Sequence, residues 1–380
     1  MEMIINKKID SIQALRALAF LGVFFVHSGL KNVYGAGEWG VSVFLIMSGF
    51  LCVNRYYPKM NGMQVDFKSN LVFAIKRISG IYWLHFALTF GFLPFYFLGT
   101  NTEHFLSVLF KYVINFLLLQ AWFVIPYMSI NRVSWYLSAI LFCYFLFPWM
   151  LKIIDKFSKK KVICAIVFLY LFELLSAIVA AFLDCADVSF YNCYAGWVIY
   201  YHPVFRSIDF MIGCLVGKLY ISESDDVRKK WKKMNNYTSL CIIGLILVLH
   251  GIYNHFNTIQ IQTFGSVLII KIISVAGFSI TSCMLVYLFA KNDTKIVYIM
   301  TNKFLIFVGD MSKYMYLIHF FVFEYIGRVL WRVGGENFYK KYGVIAKLTI
   351  GLIITIVLSM IWQKFARIIK NRRYEKQSLS

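Results

Sequence analysis

Charge is the first thing this chain has little of. Of 380 residues, 15% are charged and only 18 are acidic, whereas a soluble domain is typically ~25% charged. An ordinary water-soluble globule is therefore excluded. Proline is also scarce. The five residues Pro58, Pro94, Pro126, Pro148 and Pro203 fall mostly near the ends of apolar runs. The paired broken helices that point to a secondary transporter are not evident. The eight cysteines form no C-x-x-C pair and have no zinc-ligand spacing, so no metal site is expected. There is no low-complexity tract, no clear internal repeat and no soluble domain.

Hydrophobic side chains make up 60% of the sequence. Their repeated runs of ~20 residues indicate an all-α, polytopic membrane bundle. Ten spans are expected, at about 12–30, 39–55, 79–99, 133–152, 161–182, 203–221, 238–256, 266–290, 311–331 and 344–364. Residues 1–380 read as one membrane-embedded domain. The segment 104–123 is apolar too, but it contains Lys111, Asn115 and Gln120. Phe105, Leu109, Tyr112 and Phe116 recur in it at helical spacing, so it reads as an interfacial or re-entrant helix.

The net charge of +21 invites a nucleic-acid partner. The basic residues argue against one, because they cluster between spans as membrane topology requires. With the N-terminus inside, most of them collect on the cytoplasmic side, and both termini are expected there. Lys7 and Lys8 precede the first apolar run as in a signal peptide, but Arg16 interrupts that run and no A-x-A site closes it. It reads as an uncleaved first span. Six cysteines lie in or beside apolar runs. Cys185 and Cys193 share one loop, where a disulfide is one reading if the loop is extracellular.

The residues out of place in the apolar runs are the candidates for chemistry. Arg16 and His27 are 11 residues apart in one run. A helix would place them on one face, ~16 Å apart along its axis. Such residues usually mark an ion, proton or substrate path. A neutral imidazole at His27 can take a proton from a hydroxyl acceptor, and Arg16 can hold an anionic group. Glu38 stands near the level of His27 and either orients it or is solvated. Gly40, Ser48 and Gly49 in the second span suit close helix packing. Lys76 and Arg77 open the third span, where anchoring and phosphate binding are both compatible with them.

Before the fourth span, Trp135 and Ser138 share a face, with Arg132 beside them. They are interface anchors or acceptor contacts. Arg206 and Asp209 can pair at i,i+3, and Gly213 and Gly217 extend that face as a packing stripe. In the ninth span Ser312, Tyr316 and His319 share a face. His319 falls near mid-membrane, where it must find a partner.

Taken together, these residues resemble the membrane-bound acyltransferase type-3 family over essentially the whole chain. The resemblance rests on ALRALA with Arg16, on His27 at the expected spacing, on GVSVFLIMSGFL, and on KRISGIYW with Arg77. Further on it includes SWYLSAILFCYFLFP, FRSIDFMIGCLVG and GDMSKYMYLIHF. It implies an enzyme that takes an acyl group, usually acetyl from cytoplasmic acetyl-CoA. The group would pass to a hydroxyl of a surface glycan or lipid-linked sugar at a bacterial plasma membrane, with polysaccharide-assembly proteins as possible partners. By the same resemblance His27 is catalytic, and Arg16 and Arg77 are associated with the donor. Three positions depart from the family pattern: Gly80 and Trp83 replace an Arg and an Arg-Ile-x-Pro step, Ile140 replaces a Glu, and Ser42 replaces an Asp. Glu38 or Asp209 would then supply any carboxylate assistance, and Ser48 or Tyr316 any oxyanion contact. A transporter or flippase of a glycan or anionic substrate is the alternative reading, and a catalytically inactive partner the third.

Overall fold

A computed structural model describes residues 9–97, 102–124, 126, 128–185, 189–223, 235–259, 263–291 and 294–378. Among the described residues there are helices and no strands. The helices are α1 (Asp10–Ser28), α2 (Tyr34–Tyr56), α3 (Phe67–Gly91), α4 (Leu93–Phe97), α5 (Thr102–Phe116), α6 (Trp135–Asp155), α7 (Lys159–Cys185) and α8 (Ser189–Tyr200). They continue as α9 (Pro203–Ser222), α10 (Asn235–Thr258), α11 (Phe264–Ile272), α12 (Phe278–Lys291), α13 (Lys295–Met300), α14 (Lys303–Ala346) and α15 (Leu352–Ser378).

Eight stretches among these residues are long and apolar enough to cross a membrane. The last covers 67 residues, Lys303–Ile369, and contains two passes. The chain reverses at Gly335, whose φ of 71° lies in the left-handed region that favours glycine. Beyond the turn the chain packs back on itself, with the Lys347 ammonium 5.8 Å from the Phe323 ring centroid. α9 carries Arg206, Asp209 and Lys218, too much charge for a simple hydropathy test, yet most of its length is buried. The ten expected passes thus have ten helical counterparts, with α11 and α12 joined by a π-turn at Ile273–Gly277. α5, at 15 residues, is too short to span and exposes Phe105, Leu106 and Phe110, as an interfacial helix should.

Two elements differ from the sequence reading. α3 begins about three turns earlier than expected, at Phe67. Asp66 caps it by accepting from the Ser69 backbone N–H at 3.0 Å and the Ser69 hydroxyl at 2.6 Å. These bonds hold the Asp66 carboxyl below its usual pKa. The expected loop between the fifth and sixth spans contains α8. Cys185 and Cys193 fall there, and their side chains lie outside the described residues.

The centre of the bundle is α1, packed between α2 and α14, with α2 crossing α9 on its far side. Small residues permit both approaches. A Cβ at Gly40 would collide with the Ala19 carbonyl oxygen, one at Gly213 with that of Ile46, and one at Gly49 with that of Phe210. Without a hydrophobic drive between helices in lipid, such backbone-to-backbone contact is what holds spans together. α1 and α14 run parallel. A Cβ at Gly309 would collide with the Gln13 carbonyl, and further along the same pair His27 meets His319.

Candidate active site

Arg16 and His27 mark the two ends of the site on α1. Around Arg16 lies a cavity of about 680 Å³, walled by α1, α2, α3, α6 and α14. Its lining contains four cations, Arg16, Arg55, Arg77 and Lys313, and no carboxylate. Arg55 and Lys313 are exposed at its rim, whereas Arg16 and Arg77 are partly buried within it. Gln13 Oε1 accepts from Arg16 at 3.3 Å. The Arg77 guanidinium lies 4.9 Å from the Tyr144 ring centroid and 5.9 Å from that of Tyr56, with Nη2 3.7 Å from Cys52 Sγ. Aromatic faces therefore fix the direction of that fork.

Aromatic residues close the inner end of the cavity. Phe44, Tyr136 and Tyr316 line it together, with the Tyr316 ring 5.3 Å from Tyr136 and 5.8 Å from Phe44. One helical turn beyond Tyr316 on α14 is His319, fully buried, its ring 6.1 Å from that of Tyr316. His319 Nε2 lies 2.9 Å from His27 Nδ1, and the two rings stack at 5.1 Å with 22° between planes. His319 Nδ1 lies 3.1 Å from the Met315 carbonyl oxygen. Phe20, Phe24 and Phe323 surround the His319 ring.

The sequence candidates divide into four groups. Arg16, Ser48, Arg77 and Tyr316 line the cavity, and His27 and His319 form the pair above it. Lys76, by contrast, is exposed on α3 and outside the cavity lining, because adjacent residues of a helix lie about 100° apart and only Arg77 faces inward. Arg132 is exposed in a short 3₁₀ turn that leads into α6.

The bonds and ring contacts of the remaining candidates are to groups other than the two histidines. Glu38 accepts from the Tyr253 hydroxyl at 2.8 Å and is not the group that holds His27. Arg206 and Asp209 form the expected pair at 2.8 Å, both 1% exposed, and Arg206 also donates to the Ile199 carbonyl at 2.9 Å. This buried ion pair is outside the cavity lining and belongs to the packing of α9. Trp135 packs on Tyr200 and Tyr201, and the buried Ser138 hydroxyl has no hydrogen-bond partner among the described residues.

Several participants were not singled out from sequence. Arg55, Lys313 and Tyr136 all line the cavity, and none of them was among the sequence candidates. The segment from α5 to α6 forms a buried polar knot. His85 Nε2 faces the Asn115 carbonyl at 2.9 Å, Ser134 donates to Asn115 Oδ1, and Gln120 donates to the Ser134 carbonyl. Asn131 then donates to the Leu317 carbonyl at 3.1 Å, two residues before His319. The knot thus ties this segment to the helix that carries the second histidine.

A type-3 acyltransferase family model, described as an acyltransferase domain, matches residues 9–362. The chain belongs to that family. The match takes in both histidines, the four cations and every helix of the bundle through α14, and it ends within α15. No curated protein and no solved structure gives a significant match. The acyltransferase is a multi-pass membrane protein, and the structure draws its candidate site from α1, α2, α3, α6 and α14.

Proposed function

We propose that this acyltransferase is a transmembrane O-acyltransferase. It takes an acyl group, acetyl in the first instance, from acyl-CoA on the cytoplasmic side. It passes that group to a hydroxyl of a cell-surface glycan or lipid-linked sugar, in a bacterial plasma membrane. The observation that carries this reading is the cavity, with four cations and no carboxylate in its lining, that ends one helical turn from a histidine pair. Coenzyme A carries several negative charges on its phosphates. Guanidinium groups hold phosphate oxygens in bidentate fashion, so Arg16 and Arg77 would hold the donor, with Arg55 and Lys313 attracting it at the rim. Lys76 keeps no part in this assignment.

The acceptor would approach His27 from the opposite end, past Arg132. His27 removes the hydroxyl proton while the oxygen attacks the thioester carbonyl. The C–S bond breaks, a C–O bond forms, and the proton leaves with the thiolate as free thiol. The same balance holds if the acyl group first rests on an enzyme side chain. Tyr316 stands between cavity and histidines and is the nearer of the two oxyanion candidates, Ser48 being committed to the Phe44 carbonyl at 2.6 Å.

The test uses the full-length protein in sealed membrane vesicles with radiolabelled acetyl-CoA and the host's surface polysaccharide. Alkali-labile label on the glycan, matched by release of free CoA, is the expected result. Movement of glycan across the membrane with neither ester nor CoA release would overturn the reading in favour of a transporter.

A further inference from the structure

The His27–His319 contact contains more information than a distance. The Met315 carbonyl can only accept, so the His319 nitrogen that faces it at 3.1 Å must carry a hydrogen. A neutral imidazole has one N–H, and a charged ring is costly in this cage of Phe20, Phe24 and Phe323. His319 Nε2 is then a bare lone pair. It lies 2.9 Å from His27 Nδ1, and two lone pairs do not meet at that distance, so His27 Nδ1 carries the hydrogen. His27 Nε2 is consequently unprotonated and available as a base.

We propose that His319 is the positioning residue of the acyl-transfer site. It sets the tautomer of His27 through the chain Met315 C=O···H–Nδ1 His319 Nε2···H–Nδ1 His27. The proposal rests on the acyl-transfer reading above and deepens it. Among the described residues the partner that the structure gives the His27 ring is this imidazole, and the carboxylates expected to serve it are held elsewhere, Glu38 by Tyr253 and Asp209 by Arg206. Position 140, on the cavity wall, is an isoleucine. An imidazole acceptor carries out the orienting task that a carboxylate carries out in Ser-His-Asp systems. Without a fixed negative charge, it avoids placing an anion in an apolar cage. When His27 takes a proton at Nε2, its Nδ1–H becomes the donor of a charge-assisted bond to His319, which stabilises the transition state and not the ground state. The aromatic cage and the full burial of His319 hold that acceptor in one orientation.

The experiment uses purified full-length protein in lipid nanodiscs, with His319→Gln, His319→Leu and His27→Ala. Gln can place its carbonyl oxygen at the Nε2 position and accept from His27. Leu cannot. We expect His319→Leu to lower kcat on the order of 10²–10⁴-fold, the usual worth of a positioned base. His319→Gln should lose no more than about tenfold, the scale of one hydrogen bond. KM for acetyl-CoA should stay unchanged in both, because His319 does not line the cavity.

Imidazole ¹⁵N spectra of histidine-labelled protein, with His27→Ala for assignment, should show His27 protonated at Nδ1 and bare at Nε2. A His27 proton on Nε2 in the wild type, or full kcat in His319→Leu, would overturn the proposal. The spectrum decides even if the Leu variant fails to fold. If His27→Ala retains transfer, the acyl-transfer reading itself falls. If His27→Ala is inactive while His319→Leu is fully active, only the positioning role falls.

Discussion

Replacing Arg16 by Gln, with Lys76→Gln as its control, separates the cavity from mere surface charge. Both residues are basic and both were donor candidates, but Arg16 lines the cavity and Lys76 is exposed on α3. A hydrogen bond to a charged group contributes about 1.5–3 kcal/mol. At about 1.4 kcal/mol per tenfold, Arg16→Gln should weaken donor binding by about 10–150-fold. The loss should change little as salt rises, since salt screens the exposed rim cations in wild type and variant alike and the partly buried Arg16 much less. Lys76→Gln should leave KM for acetyl-CoA within about twofold, as expected for an exposed charge away from its ligand. The assay is initial-rate transfer from labelled acetyl-CoA in nanodiscs, with CoA calorimetry beside it. Elution as a single monodisperse peak would show that the loss of the Gln13 contact has not unfolded the α1–α14 pair. Equal effects of the two substitutions, or an Arg16→Gln that lowers kcat with KM unchanged, would refute the assignment of the donor to this cavity.

The remaining predictions concern the scaffold. Gly213→Leu should destabilise the protein by at least the 1–3 kcal/mol typical of overpacking, about that order, because its side chain would collide with the Ile46 carbonyl where α2 crosses α9. Gly244→Leu, with open space around it, should leave the Tm in detergent nearly unchanged. Equal Tm values would contradict the close crossing. Asp209→Ala should cost up to about 3–5 kcal/mol by removing the carboxylate that pairs with the buried Arg206 at 2.8 Å, whereas Asp209→Asn, which keeps an acceptor for Arg206, should cost less. Thermal unfolding of both variants provides the check. Asn131→Ala should cost about 0.5–1.5 kcal/mol through loss of its bond to the Leu317 carbonyl. If the segment between α5 and α6 steadies His319, kcat should fall while donor KM holds.

The bundle was legible in the sequence because its rules are local. Apolar run length sets the spans, and basic clusters mark their ends. Even α9, whose three charges defeat a simple hydropathy test, stood out as an apolar run, and its Arg206 and Asp209 can neutralise each other at i,i+3 within one helix. The start of α3 was misjudged because a cap, Asp66 with Ser69, decided it and not hydropathy.

The site was legible in pieces. Arg16, His27, Ser48, Arg77, Tyr316 and His319 each stood out as a polar group in an apolar run or on a shared face. That His27 and His319 meet could not be read from one chain of letters, because they are 292 residues apart and no periodicity links separate helices. The sequence reading sought a carboxylate for His27, while the fold provides an imidazole. Arg55 and Lys313 were hidden for a different reason. A basic residue at a span end already has a sufficient explanation in topology, and only the cavity shows that these two also face inward.

The measurement closest to the central claim is acetyl transfer by His27→Ala, in the same vesicles and with the same labelled acetyl-CoA as the wild type. The variant should still bind donor with unchanged KM or calorimetric affinity, because His27 lies outside the cavity lining. It should form no glycan ester above background. Ester formation at the wild-type rate would contradict the account, for it would remove from the chemistry the residue on which the donor cavity and the acceptor approach converge.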